Sequence, residues 1–185
     1  MLSLFESFAP LQARSPDTTD RAFLGALYAS TRPDLHSSKA DPARVSSLMA
    51  MQQRLQTADY QKAFPAAQYI LVTLASQRIG HLVINQTATD LRLIDIALCE
   101  TVRGQGIGTH ILRTMQNYAV AKKITLSLAV HRRNADAQRL YLRLGFQILS
   151  SKPQADQLVW NNAAQPDCQA TSPPSSAAPT LIDYA

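Results

Sequence analysis

The spacing of apolar residues changes once along this chain, and the change separates a helical N-terminal part from a part rich in strands. Helical spacing begins at Thr18 or Thr19, and a second helix begins at Asp41, which is followed by a proline suited to the first helical position. Phe64 and Pro65 end this second helix. The residues expected to face the core are Phe23, Leu24, Leu27 and Tyr28 in the first helix and Val45, Leu48, Met49 and Leu55 in the second.

From residue 69 the pattern is that of a sheet, whereas residues 1–16 show no clear period. Three short β-favouring runs joined by tight turns predict an antiparallel meander. Strand-like and helical segments then alternate, which predicts parallel pairing, and two last runs complete a mixed α/β layer. The predicted strands are 69–74, 79–85, 91–98, 124–130, 147–149 and 157–160, with turns at 76–78 and 87–90.

The last 25 residues differ in composition from the rest of the chain. They contain no lysine or arginine, and 15 of the 25 are Ala, Ser, Pro or Thr. Such a segment cannot bury enough apolar surface to offset the entropy lost on ordering. A chain of 185 residues is long enough for one full core and short for two. We therefore predict a single domain over residues 1–160 and a disordered tail over residues 161–185.

One glycine-rich loop carries the first chemical signal. It follows the predicted strand 91–98 and reads Arg103-Gly104-Gln105-Gly106-Ile107-Gly108. Glycine lets a backbone approach its ligand closely, and N–H groups at the start of a helix attract anions, so phosphate is the expected ligand. Thr109 and Ile111 stand where a dinucleotide fingerprint has its third glycine, and no G-K-[ST] follows, so neither of those motifs is present. The helix after the loop has an apolar face formed by Ile107, Ile111, Met115 and Ala119.

A second pattern follows the predicted strand 124–130. Asn134 is a good helix N-cap, and Gly145 is a good residue to end that helix. Its apolar stripe consists of Ala137, Leu140, Tyr141 and Leu144. The motif R-x-x-G-x-G, which begins at Arg103, is followed by N-x-x-A-x-x-L-Y-x-x-x-G-F, which ends at Phe146. In sequence and in order, the pair resembles the two signature motifs of the GNAT N-acetyltransferase superfamily.

This resemblance implies a fold with two N-terminal helices, a central sheet splayed where the cofactor inserts, and a final β-hairpin. It implies transfer of an acetyl group from acetyl-CoA to a primary amine by direct attack. Main-chain groups of Ile96, Ala97 and Leu98 would hold the pantetheine like an added strand. Asn134 would contact the pantetheine or cap its helix, because its side chain could not easily do both. The pyrophosphate would be held by N–H groups of Arg103, Gly104, Gln105, Gly106, Ile107 and Gly108, with a hydroxyl from Thr109.

Tyr141 is the residue that the resemblance marks as the general acid. A phenol beside the sulfur of departing coenzyme A would protonate the thiolate. The alternative is a core tyrosine on the stripe that it shares with Leu140 and Leu144. The match to L-Y-x-x-x-G-F favours the acid role.

Asp95 is the leading candidate for the general base. Some GNAT enzymes place a glutamate where this chain has Ala129 or Arg92, and the chain has only two glutamates, Glu6 and Glu100. Asp95 lies inside an apolar strand, where burial would raise the pKa of an unpartnered carboxyl toward a useful value. Its alternative role is to anchor a neighbouring loop through hydrogen bonds.

Other bases remain open on the sequence alone. His81 and His131 lie near predicted strands and could relay a proton, and water is a further candidate. Glu100 is expected to be an exposed residue beside the phosphate loop.

Charge is spread unevenly over the chain, whose net charge is +5. Residues 101–152 hold nine basic side chains against one acid, Asp136, so this half should attract a polyanion. Coenzyme A and nucleic acid both fit that charge, but no nucleic-acid-binding module or aromatic stacking pattern is present, so nucleic acid is not the expected partner. Cys99 and Cys168 lie far apart and suggest neither a disulfide framework nor a metal site.

Three functions are therefore compatible with the sequence. An acetyl-CoA-dependent N-acetyltransferase acting on a small-molecule or protein amine leads. A coenzyme A-binding module of the same fold without turnover comes next, and a nucleic-acid-binding protein comes last. With no apolar run near the roughly 20 residues of a membrane span and no signal-peptide pattern at Met1, we expect a cytoplasmic protein that is a monomer or a homodimer.

Overall fold

The computed structural model describes residues 8–32 and 41–161. These residues form a mixed α/β arrangement, which confirms the predicted fold class. Apart from Asn161, the predicted tail lies outside the described residues, as does Cys168. The elements in chain order are β1 (Gln12–Arg14), a 3₁₀ turn (Thr18–Asp20), α1 (Arg21–Ser30), α2 (Pro42–Ala63), β2 (Gln68–Leu74), β3 (Gln77–Gln86), β4 (Asp90–Leu98), a second 3₁₀ turn (Glu100–Val102), α3 (Ile107–Lys122), β5 (Thr125–His131), α4 (Ala135–Arg143), β6 (Gln147–Ser151) and β7 (Ala155–Trp160).

The strands form one sheet in the order β1-β2-β3-β4-β5-β7-β6. All neighbours are antiparallel except β4 and β5, which run parallel and are joined by α3. A parallel pair needs such a crossover, whereas the antiparallel strands are joined by short turns. The predicted meander, parallel pair and final hairpin are all confirmed.

The first strand was not predicted from the sequence. β1 pairs with β2, and three residues are too few to show a period. It is held by the buried carboxylate of Asp20, which accepts from Arg14 Nη1 at 2.7 Å and lies 3.0 Å from Arg78 Nε. The hydrogen bonds from Arg14 and from the main chain of Asp17 lower the pKa of Asp20 to about 2. Ion pairing between residues distant in sequence therefore contributes to fixing this edge of the sheet, together with the buried Leu11 that precedes β1.

The turn between β2 and β3 lies earlier than predicted. Ala75 and Ser76 both have positive φ, at 47° and 65°, as the two central residues of a type I′ hairpin do. Gln77 and Arg78, predicted as part of the turn, belong to β3. The prediction was wrong because this turn has neither the glycine nor the asparagine that usually marks its type.

The predicted start of α2 is confirmed, but its predicted apolar face is partly wrong. Asp41 accepts from the N–H of Ala43 at 3.1 Å and caps the helix. Leu48 and Leu55 are 44% and 55% exposed. The residues of α2 that are buried are Met49, Gln56 and Tyr60. A glutamine can occupy the buried face because its Nε2 donates to Tyr60 Oη at 2.8 Å, which satisfies the amide, and leucine spacing alone does not reveal such a pair.

Helices cover both faces of the sheet. The predicted stripe of α3 is confirmed, since Ile111, Met115 and Ala119 are fully buried in the main core together with residues of α4. On the other face, Tyr60 of α2 packs with Val83 of β3 in a second, smaller cluster. The two faces of the sheet therefore pack in two separate hydrophobic clusters.

The end of α4 is built as the sequence predicts. Gly145 has φ +85°, its N–H donates to the carbonyl of Leu142 and the next N–H, of Phe146, donates to the carbonyl of Tyr141. This pair of bonds is the Schellman motif, which requires a residue that tolerates positive φ. The rings of Tyr141 and Phe146 meet edge to face with centroids 5.7 Å apart. The motif therefore fixes the position of Tyr141 in α4.

Candidate active site

The sheet opens between its two parallel strands. The residue pairs of β4 and β5 run from Asp90 with Thr125 to Leu93 with Leu128, and beyond them the strands diverge. The groove that results is lined by Leu93, Ile94, Asp95, Ile96, Leu128, Ala129, Val130, His131, Asn134 and Tyr141. The implied splay of the sheet is therefore confirmed, and four residues of the predicted site, Asp95, Ile96, Asn134 and Tyr141, line the groove.

A β-bulge at the start of the groove decides where Asp95 points. Val83 of β3 pairs with Asp95 and Ile84 pairs with Leu93, so Ile94 is the extra residue in β4. Simple alternation would put Leu93 and Asp95 on the same face. Because of the extra residue, Leu93 packs in the main core while Asp95 lies opposite Val83, on the face covered by α2.

Asp95 is a buried carboxyl in an apolar setting. Burial raises its pKa to about 7, against a lowering effect of the main-chain N–H of Ile96. His81 Nδ1 lies 3.8 Å from Asp95 Oδ2. Burial lowers the pKa of His81 to about 4, so at neutral pH this imidazole is uncharged and does not hold Asp95 as an ion pair. The carboxyl is thus poised to gain or lose a proton near neutral pH.

Tyr141 reaches the groove from the opposite face of the sheet. Tyr141 is buried with Ala137 on the predicted apolar stripe of α4, and it also lines the groove. A place in the core and a place at the groove are therefore not alternatives for this residue. Burial raises the pKa of Tyr141, and the negative charge of Asp95 raises it further. The phenol therefore stays protonated at neutral pH and can act as a proton donor.

The glycine-rich loop presents bare N–H groups at the start of α3. Gly104 and Gly106 have φ of +72° and +82°, a region that other residues enter at a cost. Added Cβ atoms at these two glycines would meet nothing within 4 Å, so the loop borders open space. None of the hydrogen bonds of the described residues uses an N–H group of residues 104–109, and no side chain caps the helix. These groups fit the phosphates of coenzyme A, which α3 would attract with its positive end.

The side chains of the loop are held by the protein itself. Arg103 Nε donates to the carbonyl of Leu98 at 3.0 Å, and Gln105 Nε2 donates to the carbonyl of Thr101 at 2.7 Å. Gly108 has ordinary van der Waals clearance and needs no special backbone angle. Glu100 is exposed, as predicted, and lies 3.9 Å from Arg103. The loop is therefore fixed in shape before any ligand arrives.

The strand edge beside the groove is free of partners. Ile96, Ala97 and Leu98 pair with β3 on one side, and no described strand pairs with them on the side of β5. Asn134 Oδ1 accepts from the N–H of Ala137 at 3.0 Å, which confirms its role as an N-cap. His131 lies at the same end of the groove, and its Nδ1 accepts from the N–H of Arg133 at 3.2 Å.

Sequence reasoning missed two features of this region. The bulge at Ile94 has no local signal, because no glycine or proline marks it. Tyr69 of β2 pairs with Val83, as Asp95 does, and its buried hydroxyl has no hydrogen-bond partner among the described residues. From the sequence, an aromatic residue in a strand is taken to be a core residue. Only the cross-strand register shows that Tyr69 lies level with Asp95, with Val83 of β3 between them.

Comparison with known proteins agrees with this geometry. Residues 33–146 match the model of the acetyltransferase (GNAT) family, and the chain belongs to that family. No curated protein sequence matches the chain. The PaiA N-acetyltransferase of Thermoplasma acidophilum, solved with coenzyme A, has a similar fold, with a TM-score of 0.61 and 16% identity over 82% of this chain and 99% of its own.

Two further solved structures share the fold. The RimL ribosomal L7/L12 alpha-N-protein acetyltransferase, solved with coenzyme A, has a TM-score of 0.57 and 17% identity over 84% of this chain and 96% of its own. The N-acetyltransferase PseH of Campylobacter jejuni, solved with acetyl coenzyme A, has a TM-score of 0.54 and 14% identity over 83% and 99%. These three fold relatives are acetyltransferases solved with coenzyme A or its acetyl form.

No helix within residues 8–32 and 41–161 is long and apolar enough to cross a membrane. The same residues contain no group of three or more His, Cys, Asp or Glu side chains arranged to hold a metal ion.

Proposed function

We propose that this protein is an N-acetyltransferase that transfers an acetyl group from acetyl-CoA to a primary amine by direct attack. The observation that carries the proposal is the groove between β4 and β5. It has Asp95, with a pKa of about 7, on one wall and the protonated phenol of Tyr141 on the other. A base and an acid on two sides of one space suit a reaction that removes one proton and delivers another.

Acetyl-CoA would be held along the strand edge and the loop. Main-chain groups of Ile96, Ala97 and Leu98 would bind the pantetheine as an added strand would, because that edge has no strand partner on the side of β5. Asn134 remains a candidate pantetheine contact, although its side-chain oxygen caps α4. The pyrophosphate would be bound by the N–H groups of Gly104, Gln105, Gly106, Ile107 and Gly108 and by the hydroxyl of Thr109, whereas the N–H of Arg103, also predicted as a donor, already donates to the carbonyl of Glu100 at 3.2 Å. The bound cosubstrate supplies an acetyl group activated as a thioester.

Asp95 would accept the proton of the attacking amine. Because burial raises the pKa of the Asp95 carboxyl to about 7, this group can accept a proton near neutral pH without a large further change in pKa. Among the described residues, the hydrogen bond that lowers the pKa of Asp95 comes from the main-chain N–H of the adjacent Ile96 and not from a neighbouring loop, which favours the role of base over that of an anchor. The uncharged His81 at 3.8 Å offers a relay for the proton toward solvent. Tyr141 would give its proton to the departing coenzyme A thiolate.

A non-catalytic coenzyme A-binding module is the second candidate. Ala129 lines the groove at a position where some GNAT enzymes carry a glutamate, and it brings no acid or base. Such a module would need the loop and the strand edge but not Asp95 or Tyr141. The two candidates differ in turnover alone.

Three further properties stay predictions. They are a cytoplasmic location, a domain boundary at residue 160 and a state as monomer or homodimer.

Turnover with a panel of primary amines tests the proposal. Release of the coenzyme A thiol would be followed together with the mass of the acetylated product. We expect turnover by the wild type and a loss of about 10²–10⁴-fold in kcat for Asp95→Asn and for Tyr141→Phe, with the KM for acetyl-CoA little changed. Asp59→Asn, at an exposed site on α2, is the matched control. Binding of acetyl-CoA without turnover on any amine or peptide would favour the module.

A further inference from the structure

The proposed mechanism gives no role to Arg92, although its guanidinium is held in place by specific contacts. It lies on β4, half-buried, with its guanidinium carbon 5.8 Å from the centroid of the Phe64 ring. Its Nη2 donates to Gln157 Oε1 at 2.8 Å, and its Nη1 lies 3.4 Å from Ser127 Oγ. An arginine has five N–H donors in a planar fork, so these two contacts leave donors unused.

Within the part of the chain that the structure describes, the charge of Arg92 has no carboxylate partner. No acid within residues 8–32 and 41–161 lies within 4.0 Å of its nitrogens. The closest influence is Asp90, whose two oxygens accept from Thr125 Oγ1 at 2.5 Å and Ser127 Oγ at 2.6 Å. Among the described residues, the arginines that do pair with aspartates are Arg14, Arg78, Arg132 and Arg139.

Burial without a counter-charge is costly for a cation. Loss of solvent lowers the pKa of Arg92, and the attraction of Asp90 offsets this only in part. Gln157 and the Phe64 ring hold the side chain in one orientation but neutralise nothing. A guanidinium that is oriented, partly desolvated and unpaired is arranged to receive an anion from outside the chain.

Arg92 directly precedes Leu93, the first residue of β4 that lines the groove. It pairs with Ser127, one residue before the strands diverge after Leu93. It shares the α2 face of the sheet with Asp95, because Arg92 contacts Phe64 and the bulge turns Asp95 to the same side. A strand rises about 3.3 Å per residue, so the two Cα atoms are about 7–10 Å apart. A small molecule with two functional groups spans that distance between their side chains.

We propose that Arg92 binds an anionic group, a carboxylate or a phosphate, on the acceptor whose amine lies beside Asp95. The inference rests on the proposed function and narrows its acceptor to a small amine that carries a negative charge a few bonds away. Gln157 and Phe64 act as positioning residues that keep the guanidinium aimed at this group. An acceptor of this kind would bind with its two ends fixed, which sets the amine against the base.

Matched acceptors test the inference. The probes are ω-amino acids from glycine to 6-aminohexanoate, the n-alkylamines of the same lengths and the corresponding aminoalkylphosphonates. For the best length we expect kcat/KM of the anionic acceptor to exceed that of its alkylamine by about 10–100-fold, the range of a charge-assisted hydrogen bond. A preference between carboxylate and phosphonate identifies the anion.

Variants at this position separate binding from structure. Arg92→Met keeps a stem that packs on Phe64 and should remove the preference, chiefly through KM, while activity on alkylamines stays within about threefold. Arg92→Lys should keep part of the preference, since the charge remains and the fork is lost. Arg113→Met, at an exposed site on α3, controls for the loss of one positive charge. Melting temperatures verify that each variant is folded.

Binding of the probes, titrated with coenzyme A present, distinguishes the two claims. Anionic probes that bind only with Arg92 present, without turnover, support the inference while the proposed function fails. Turnover with equal kcat/KM for acids and alkylamines overturns the inference and leaves the function intact. Equal losses on both kinds of acceptor in Arg92→Met, or no binding of any anionic probe, overturn it as well.

Discussion

Replacing Asp95 with asparagine should stabilise the protein above neutral pH, although it removes the proposed base. Burial raises the pKa of this carboxyl from its ordinary 3.8 to about 7. At about 1.4 kcal/mol per pH unit, the charged form costs the folded state up to about 4 kcal/mol. Asparagine has nearly the same shape and no charge. Burial of the asparagine amide lowers the stability of the folded state by an amount that does not depend on pH.

The pH dependence has a definite sign. Between pH 4 and pH 7 the folded protein holds a proton on Asp95 that the unfolded chain has lost, so this group's contribution to stability falls as pH rises through that window. His81 acts in the opposite sense, because its pKa is lowered to about 4 and its contribution is lost as pH falls from about 6.5 toward 4. The two contributions overlap, so only the difference between wild type and variant isolates Asp95.

Urea unfolding at pH 5 and pH 8 measures this difference. The free energy of unfolding of Asp95→Asn minus that of the wild type should rise by about 2–3 kcal/mol from pH 5 to pH 8. For a chain of this size, the corresponding rise in the difference of melting temperatures is about 4–12 °C. Asp59→Asn should show no such gain, since that side chain is exposed on α2. A difference that is the same at both pH values, or that favours the wild type more at pH 8, would refute the reasoning.

Three further results are expected. On a logarithmic plot, the kcat/KM of the wild type should rise with unit slope up to about pH 7, because Asp95 ionises over this range. Asp95→Asn should not show this rise, and a flat profile for the wild type would contradict the prediction. Gly80→Ala should lower the free energy of unfolding by about 1–3 kcal/mol, because its Cβ would lie 2.5 Å from atoms of β4, whereas Gly25→Ala, with 4.0 Å clearance, should not. Gly106→Ala should cost about 1 kcal/mol through its φ of +82°, with a larger loss in acetyl-CoA binding; equal binding argues against the loop.

Local signals explain what the sequence predicted. The caps at Asp41 and Asn134 and the end at Gly145 depend on residues next to the helix termini, and the structure has them as predicted. The apolar faces of α3 and α4 follow from periods of several turns. The loop before α3 was recognisable because positive φ at Gly104 and Gly106 needs glycine.

Long-range contacts explain what the sequence did not predict. β1 is held by ion pairs from residues far along the chain, and three residues carry no period. The buried face of α2 includes Gln56, whose burial depends on its bond to Tyr60. The bulge at Ile94 is defined only by register with β3, and it decides that Asp95 faces α2. The unpaired charge of Arg92 could be recognised only once its neighbours from other strands were known.

Isothermal titration with acetyl-CoA tests the central claim most directly. The wild type should bind, and the double variant Arg103→Ala, Gly106→Val should not, because it loses the side chain that holds the loop to Leu98 and the backbone angle that aims the N–H groups. Arg113→Ala, which also removes one positive charge, should bind as the wild type does. Failure of the wild type to bind at high acetyl-CoA concentration, or equal binding by the folded double variant, would contradict the account.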